Sequence, residues 1–158
     1  MHVSELALTD FRSYPSAHLS LALGPNLLLG ANGQGKTNLV EAIGFLATLG
    51  SHRVSTDAPL VRTGSAVAHI RADVVSHGRT TTIELAIEPG KARRARVNRV
   101  AAPRASAILG LLHAVTFAPE DLALVKGDPA ERRHFLDDLL VQQRPRLAAV
   151  RADYDRVL

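Results

Sequence analysis

LLLGANGQGKTNLVEA, residues 27–42, sets three leucines ahead of a segment with three glycines in six positions, followed by a lysine, a threonine and an amphipathic run. Residues 30–37 follow G-x-x-x-x-G-K-T, the spacing that wraps a backbone around a polyphosphate. Glycine reaches positive φ and tolerates close approach, so successive N–H groups can turn toward one anion. A helix starting near Gly35 points its unpaired N–H groups and the positive end of its dipole at the same place. In that arrangement Lys36 reaches the β- and γ-phosphates and Thr37 supplies a hydroxyl to Mg²⁺. The flanks agree with this reading. Residues 26–29 read as a short buried strand, and Leu39, Val40, Ile43, Leu46 and Ala47 recur at helical spacing on one face. The plainer alternative is a glycine-rich turn between strand and helix.

With 158 residues, 46% of them hydrophobic, the chain is long enough for one ordinary core. The absence of cysteine excludes disulfides and thiolate metal sites and fits a reducing compartment. Seven histidines are scattered without ligand spacing, so no metal site is assigned to them. The first residues, MHVSELALTDF, carry Glu5 and Asp10 where a signal peptide would need positive charge followed by an apolar run. No segment approaches the roughly 18 apolar residues of a membrane span, so a soluble, cytoplasmic protein is expected.

Formal charge is +4, but it is unevenly placed. Lys91, Arg93, Arg94, Arg96, Arg99 and Arg104 fall in a stretch, residues 91–104, without an acid. Such a cluster can neutralise nucleic-acid phosphates, with steep salt dependence. It can equally be a solvated hairpin edge, where arginine and lysine block aggregation. Both readings stand at this point. Two tyrosines and four phenylalanines give little basis for a stacking platform.

Val3, Leu6 and Leu8, then Leu19, Leu21 and Leu23, predict two strands flanking a turn at residues 13–16. Gly50 marks the expected end of the phosphate-loop helix, and residues 51–65 read as a loop. Alternation over 66–75 and 80–88, joined by Ser76-His77-Gly78, predicts a hairpin. A further strand is expected over 92–98, giving an antiparallel sheet, then a short helix over 104–111 and a strand over 113–117. Asp128-Pro129-Ala130-Glu131 offers an N-cap, a proline at the first helical position and a capping-box acid before a long helix that Pro145 should kink or divide. The chain stops inside a helical pattern, without a glycine or turn, as though cut rather than finished.

Laid out this way, the chain resembles the N-terminal part of the RecF family, bacterial DNA replication and repair proteins of the ABC-type ATPase class related to SMC proteins. The resemblance is carried by LTDFRSY (residues 8–14), GANGQGKTNLVEA (30–42), SHR (51–53), RARVNR (94–99), FAPEDLALVKG (117–127), DPAERRHFLDDL (128–139) and DYDRVL (153–158). It implies an α/β fold: a P-loop ABC-type ATPase head lobe with an antiparallel β-sheet subregion over residues 1–127, and a helical segment beginning an arm domain over 128–158. The implied cofactors are ATP and Mg²⁺, with Thr37 on the metal. The implied nucleotide site is Gly30, Ala31, Asn32, Gly33, Gln34, Gly35, Lys36, Thr37 and Asn38, with Asn32 near the terminal phosphate and Arg12 close to the phosphates. Both assignments suit an amide and a guanidinium facing phosphate oxygens.

The same resemblance places Arg53 where it can approach nucleotide or DNA, without fixing its direction, and adds Arg94, Arg96 and Arg99 as DNA contacts. Glu120 stands near the position where other ABC proteins carry a glutamine that senses magnesium and nucleotide, with Pro119 and Asp121 beside it. The acidic strand end and the serine-glycine signature loop that complete such heads are not visible after residue 100. Asp137-Asp138 follows only a short apolar pair and reads as an exposed helical acid pair.

The resemblance further implies a protein that closes as a homodimer on ATP and clamps DNA at single-strand gaps or junctions. Such a protein works with recombination mediator proteins and supports recombinase loading and the SOS response to DNA damage. A weak DNA-dependent ATPase is implied for the full-length dimer, with residues 1–158 alone almost inactive. Two other classes remain open here. One is a P-loop kinase or GTPase acting on a small substrate, although a guanine-reading Asn-Lys-x-Asp is missing; the other is an SMC-like structural clamp with long coiled arms.

Overall fold

The computed structural model describes residues 1–117 and 128–157. β1 (His2–Phe11) buries Val3, Leu6, Leu8 and Phe11. Strict alternation would not put Val3 and Leu6 on one face, and a register shift between Val3 and Glu5 against the neighbouring strand absorbs the extra residue as a bulge. β2 (Tyr14–Ser20) returns antiparallel through a two-residue turn, Arg12-Ser13, in which Arg12 sits at φ 54°. The turn therefore lies earlier than residues 13–16, because Tyr14 is already paired with Phe11. Pro15 is accommodated because β2 is an edge strand, where a missing N–H is tolerated.

β3 (Ala68–Ser76) and β4 (Arg79–Ile87) form the expected hairpin around His77-Gly78. The strand expected over 92–98 is corrected to two shorter ones, β5 (Arg94–Val97) and β6 (Val100–Ala101). Asn98 and Arg99 turn between them at φ 50° and 69°, the pair of positive values that matches strand twist in a tight hairpin. The sheet order is β2-β1-β3-β4-β5-β6, antiparallel throughout.

One face of this sheet is apolar by alternation: Leu6 and Leu8, then Ile70, Ala72 and Val74, then Ile83, Leu85 and Ile87 are all buried. They share a core with Leu39, Ala42, Phe45 and Leu46 of α1 (Lys36–Thr48) and with Leu60, Ile108 and Leu112. The buried stripe of α1 is rotated from the expected one. Val40 is exposed, and Glu41, Ala42 and Phe45 are buried instead, because the loop that carries Leu60 and Val61 covers that flank. The helix ends at Thr48 with Leu49 in the left-handed region as its cap, ahead of Gly50.

Two expected strands are absent. Residues 26–29 form no strand, and Leu27 and Leu29 are more than four-fifths exposed; residues 113–117 likewise form none, with Val115 and Phe117 exposed. A strand needs a neighbour's ladder of N–H and C=O groups, and among the described residues neither segment has one. The short helix over 104–111 is a 3-10 turn, Ala105–Ile108.

Asp128 caps α2 (Pro129–Gln143) by accepting from the Ala130 N–H at 2.8 Å, with Pro129 at the first turn. The Glu131 side chain lies outside the described residues, as do Pro119, Glu120 and Asp121. Pro145 separates α2 from α3 (Leu147–Val157), as expected. Gly110, at φ 84°, lies under Pro145 so closely that a Cβ there would come 2.6 Å from the proline Cγ. Beside this contact, Ala114 N–H donates to Gln142 Oε1 at 3.3 Å. No described helix is long and apolar enough to cross a membrane.

Candidate nucleotide site

Gly30, Gly33 and Gly35 all hold positive φ, 155°, 83° and 88°. Gly35 is the N-cap of α1, and a Cβ on it would meet Ser13 Oγ at 2.7 Å and the Tyr14 ring at 3.0 Å. Glycine is thus required there twice, by backbone angle and by contact. The β1–β2 turn clamps this end of the loop: Tyr14 Oη donates to Gln34 O at 3.2 Å, and Asn38 Nδ2 donates to Ser13 Oγ at 3.0 Å. The first turn of α1 has no side-chain cap and no acid, so its positive end carries no built-in anion.

Lys36 Nζ folds over the loop and donates to Gly30 O at 2.8 Å and Ala31 O at 2.7 Å. A phosphate oxygen is the stronger acceptor for an ammonium group, so these two bonds can be exchanged for phosphate. Ala31, Asn32, Gly33, Gln34 and Thr37 are exposed around the loop. The donor set of an ammonium group, a threonine hydroxyl without a hydrogen bond among the described residues and a glycine-cleared backbone fits a magnesium nucleotide.

One helical turn beyond Thr37 stands Glu41, at 1% exposure. Its carboxylate receives Arg12 through Nε at 2.9 Å and through Nη2, Ser51 Oγ at 2.6 Å, and Arg53 Nη1 at 3.2 Å. Arg12 also donates from Nη1 to Pro59 O at 3.0 Å, and Arg53 Nη1 donates to Asn38 Oδ1 at 2.8 Å. Burial pushes the Glu41 carboxyl up. Hydrogen bonds from Arg12 and Ser51 and the charges of Arg12 and Arg53 outweigh that push, and the group is held below the usual carboxylate range.

Of the arginines singled out from sequence, Arg12 and Arg53 are therefore brought together, on a carboxylate that sequence reasoning missed. A signal did exist. Glu41 precedes Phe45 by one turn, which puts an acid on the flank of an apolar stripe.

The basic stretch divides into inward and outward cations. Arg93 grips Asp57 with two bonds of 2.9 and 2.6 Å, donates to Leu49 O, and lies 4.8 Å from the centre of the Phe45 ring, so it is an internal strut. Lys91 and Arg94 face Glu88 at 2.6 and 3.7 Å, and the Lys91 hydrogen bond leads the causes that hold Glu88 below its ordinary value. Arg96, Arg99 and Arg104 are exposed and make no ion pair among the described residues. Asp137 and Asp138 lie on α2, with Arg151 of α3 at 4.0 and 2.7 Å, a helical acid pair.

Comparison with known proteins supports this geometry. A family model described as an AAA domain matches residues 5–137. The DNA replication and repair protein RecF of Frankia alni is 63% identical over all 158 residues, which cover 42% of its length. RecF of Kineococcus radiotolerans is 61% identical over the same span, 40% of its length. The chain thus spans about two fifths of the length of the curated relatives it matches.

Among solved structures, the recombination mediator protein RecF-ATPrS in the RecFOR pathway superposes with a TM-score of 0.90 at 28% identity, over 99% of this chain and 43% of that one. A structure from work on ATP-driven dimerization and DNA-stimulated activation of SMC ATPases matches 88% of this chain and 99% of that chain. Its TM-score is 0.68 at 23% identity, a likeness of fold. The chain belongs to the AAA-domain family, with the head-lobe fold of RecF and SMC ATPases, and over its whole length it is similar to the N-terminal part of RecF.

Proposed function

We propose that this chain forms the nucleotide-binding lobe of a RecF-like ATPase head of DNA replication and repair, binding ATP·Mg²⁺ on Gly30, Ala31, Asn32, Gly33, Gln34, Gly35, Lys36, Thr37 and Asn38. The observation that carries the reading is the loop itself. It is cleared by glycine at Gly35, clamped from below by Ser13 and Tyr14, and bridged by an ammonium group that holds only two exchangeable carbonyls. When bound, magnesium neutralises charge on the β- and γ-oxygens. Lys36 would hold those oxygens, Thr37 would offer its hydroxyl to the metal, and Asn32 would donate to the terminal phosphate.

In the intact protein this lobe works within a homodimer that closes on ATP, since contacts made only in the closed state shift the population toward it. Closure clamps DNA at gaps or junctions in the cytoplasm, alongside recombination mediator partners, and supports recombinase loading and the SOS response. Residues 1–127 are the head lobe and 128–158 the start of the arm. The residues that orient the attacking water lie outside this stretch, so residues 1–158 alone turn over almost no ATP. Support comes from similarity to RecF along this whole chain and from the solved RecF–ATP complex that shares this fold.

Arg99 supports the DNA reading as an exposed cation at the tip of the β5–β6 turn. The deciding experiment is calorimetry of the full-length protein with MgATP. Binding is expected, with an affinity that falls at least about tenfold in Lys36→Ala while the melting temperature is kept. Absence of binding by the unaltered protein overturns the proposal.

A further inference from the structure

We infer that Glu41 is a positioning residue for the terminal phosphates: it locks Arg12 in place as a fixed charge and presents Arg53 to the start of α1. The inference rests on the nucleotide reading above. A buried carboxylate persists only where charge and hydrogen bonds answer it, and here four donors converge on two oxygens. Oε1 takes Arg12 Nη2 and Ser51 Oγ; Oε2 takes Arg12 Nε and Arg53 Nη1.

The two arginines are held differently. Arg12 uses all three of its side-chain nitrogens, on Glu41 and Pro59 O, and its side chain is 13% exposed. Arg53 uses Nη1 alone, shared between Glu41 and Asn38, and is 34% exposed. Its Nε and Nη2 make no hydrogen bond among the described residues. Asn38 lies in the first turn of α1, one of the residues of the proposed nucleotide loop, so the 2.8 Å bond to its Oδ1 ties Arg53 to that end of the helix.

Two cations against one anion leave a formal surplus of one positive charge at this edge of the loop. The sign of one substitution separates positioning from simple charge. Removing a carboxylate near an anion site should tighten anion binding by Coulomb attraction alone; if Glu41 positions Arg53, its removal loosens binding of the triphosphate.

The test titrates the full-length protein with MgATP and with MgADP. Glu41→Gln is expected to weaken ATP about tenfold and ADP by less than about twofold, the scale of one charge-assisted contact to the third phosphate. Arg53→Ala should lose the same ATP preference, and the double variant should lose no more than either single one. Should Glu41→Gln fail to fold, Ser51→Ala removes one donor while keeping every charge, and it should lower the ATP-to-ADP preference about threefold. Unchanged or tighter ATP binding in Glu41→Gln, additive losses in the double variant, or an unchanged preference in Ser51→Ala overturns the inference. Those outcomes, alongside a loss of binding in Lys36→Ala, leave the nucleotide reading standing; failure of the unaltered protein to bind refutes that reading instead.

Discussion

At the scale of single residues, Glu41 gives the molecule a defined response to acid. Its folded-state carboxyl is held below the ordinary value of 4.5, so the unfolded chain takes up the proton first as pH falls. The corresponding stability is fully present above the unfolded pKa and is lost as pH drops through the folded one. Glu41→Gln should therefore cost about 3 kcal/mol near pH 7 by leaving two arginines without their anion. The gap between variant and unaltered protein should narrow steadily below about pH 4.5. Urea midpoints measured from pH 7 to pH 3 test this, and a gap independent of pH would show that the Glu41 charge is not what holds the arginines. Arg93 is the complementary case. Its charge looks available in sequence but is turned inward on Asp57 and the Phe45 ring.

At the scale of elements, the β5–β6 hairpin carries a local cost. Arg99 at φ 69° occupies a position that glycine fills without penalty. Arg99→Gly is expected to stabilise the protein by about 1 kcal/mol and raise the melting temperature by about 2–4 °C; a lower melting temperature would show that the arginine itself braces the turn. The β3–β4 hairpin was legible from alternation alone, and the phosphate-loop helix from glycine spacing and apolar recurrence. The segments at 26–29 and 113–117 were misread for one physical reason. An apolar run announces that a segment favours burial, but it carries no information about which strand would pair with it. β6 is two residues long, too short for any period to register. The Glu41 cluster joins residues from three separate segments, and a contact between positions 12, 41 and 53 leaves no local pattern to read.

At the scale of the whole molecule, cation placement sets the expectation for DNA. With Arg93 turned inward and Lys91 and Arg94 facing Glu88, Arg104 lies past the β5–β6 hairpin and the hairpin cations left for phosphates are Arg96 and Arg99. In the full-length protein, changing both to alanine should reduce the salt slope of DNA affinity by about 2, one unit per lost phosphate contact. Unchanged affinity and slope would remove this edge from the DNA surface. The seat of Pro145 on Gly110 has a mechanical consequence of its own. A ring resting against a bare α-carbon leaves no clearance for Pro145 to move toward residue 110. Four residues on, Ala114 bonds to Gln142 of α2, and Thr116 lies against Gly44 of the nucleotide-loop helix, so one short segment touches both helices.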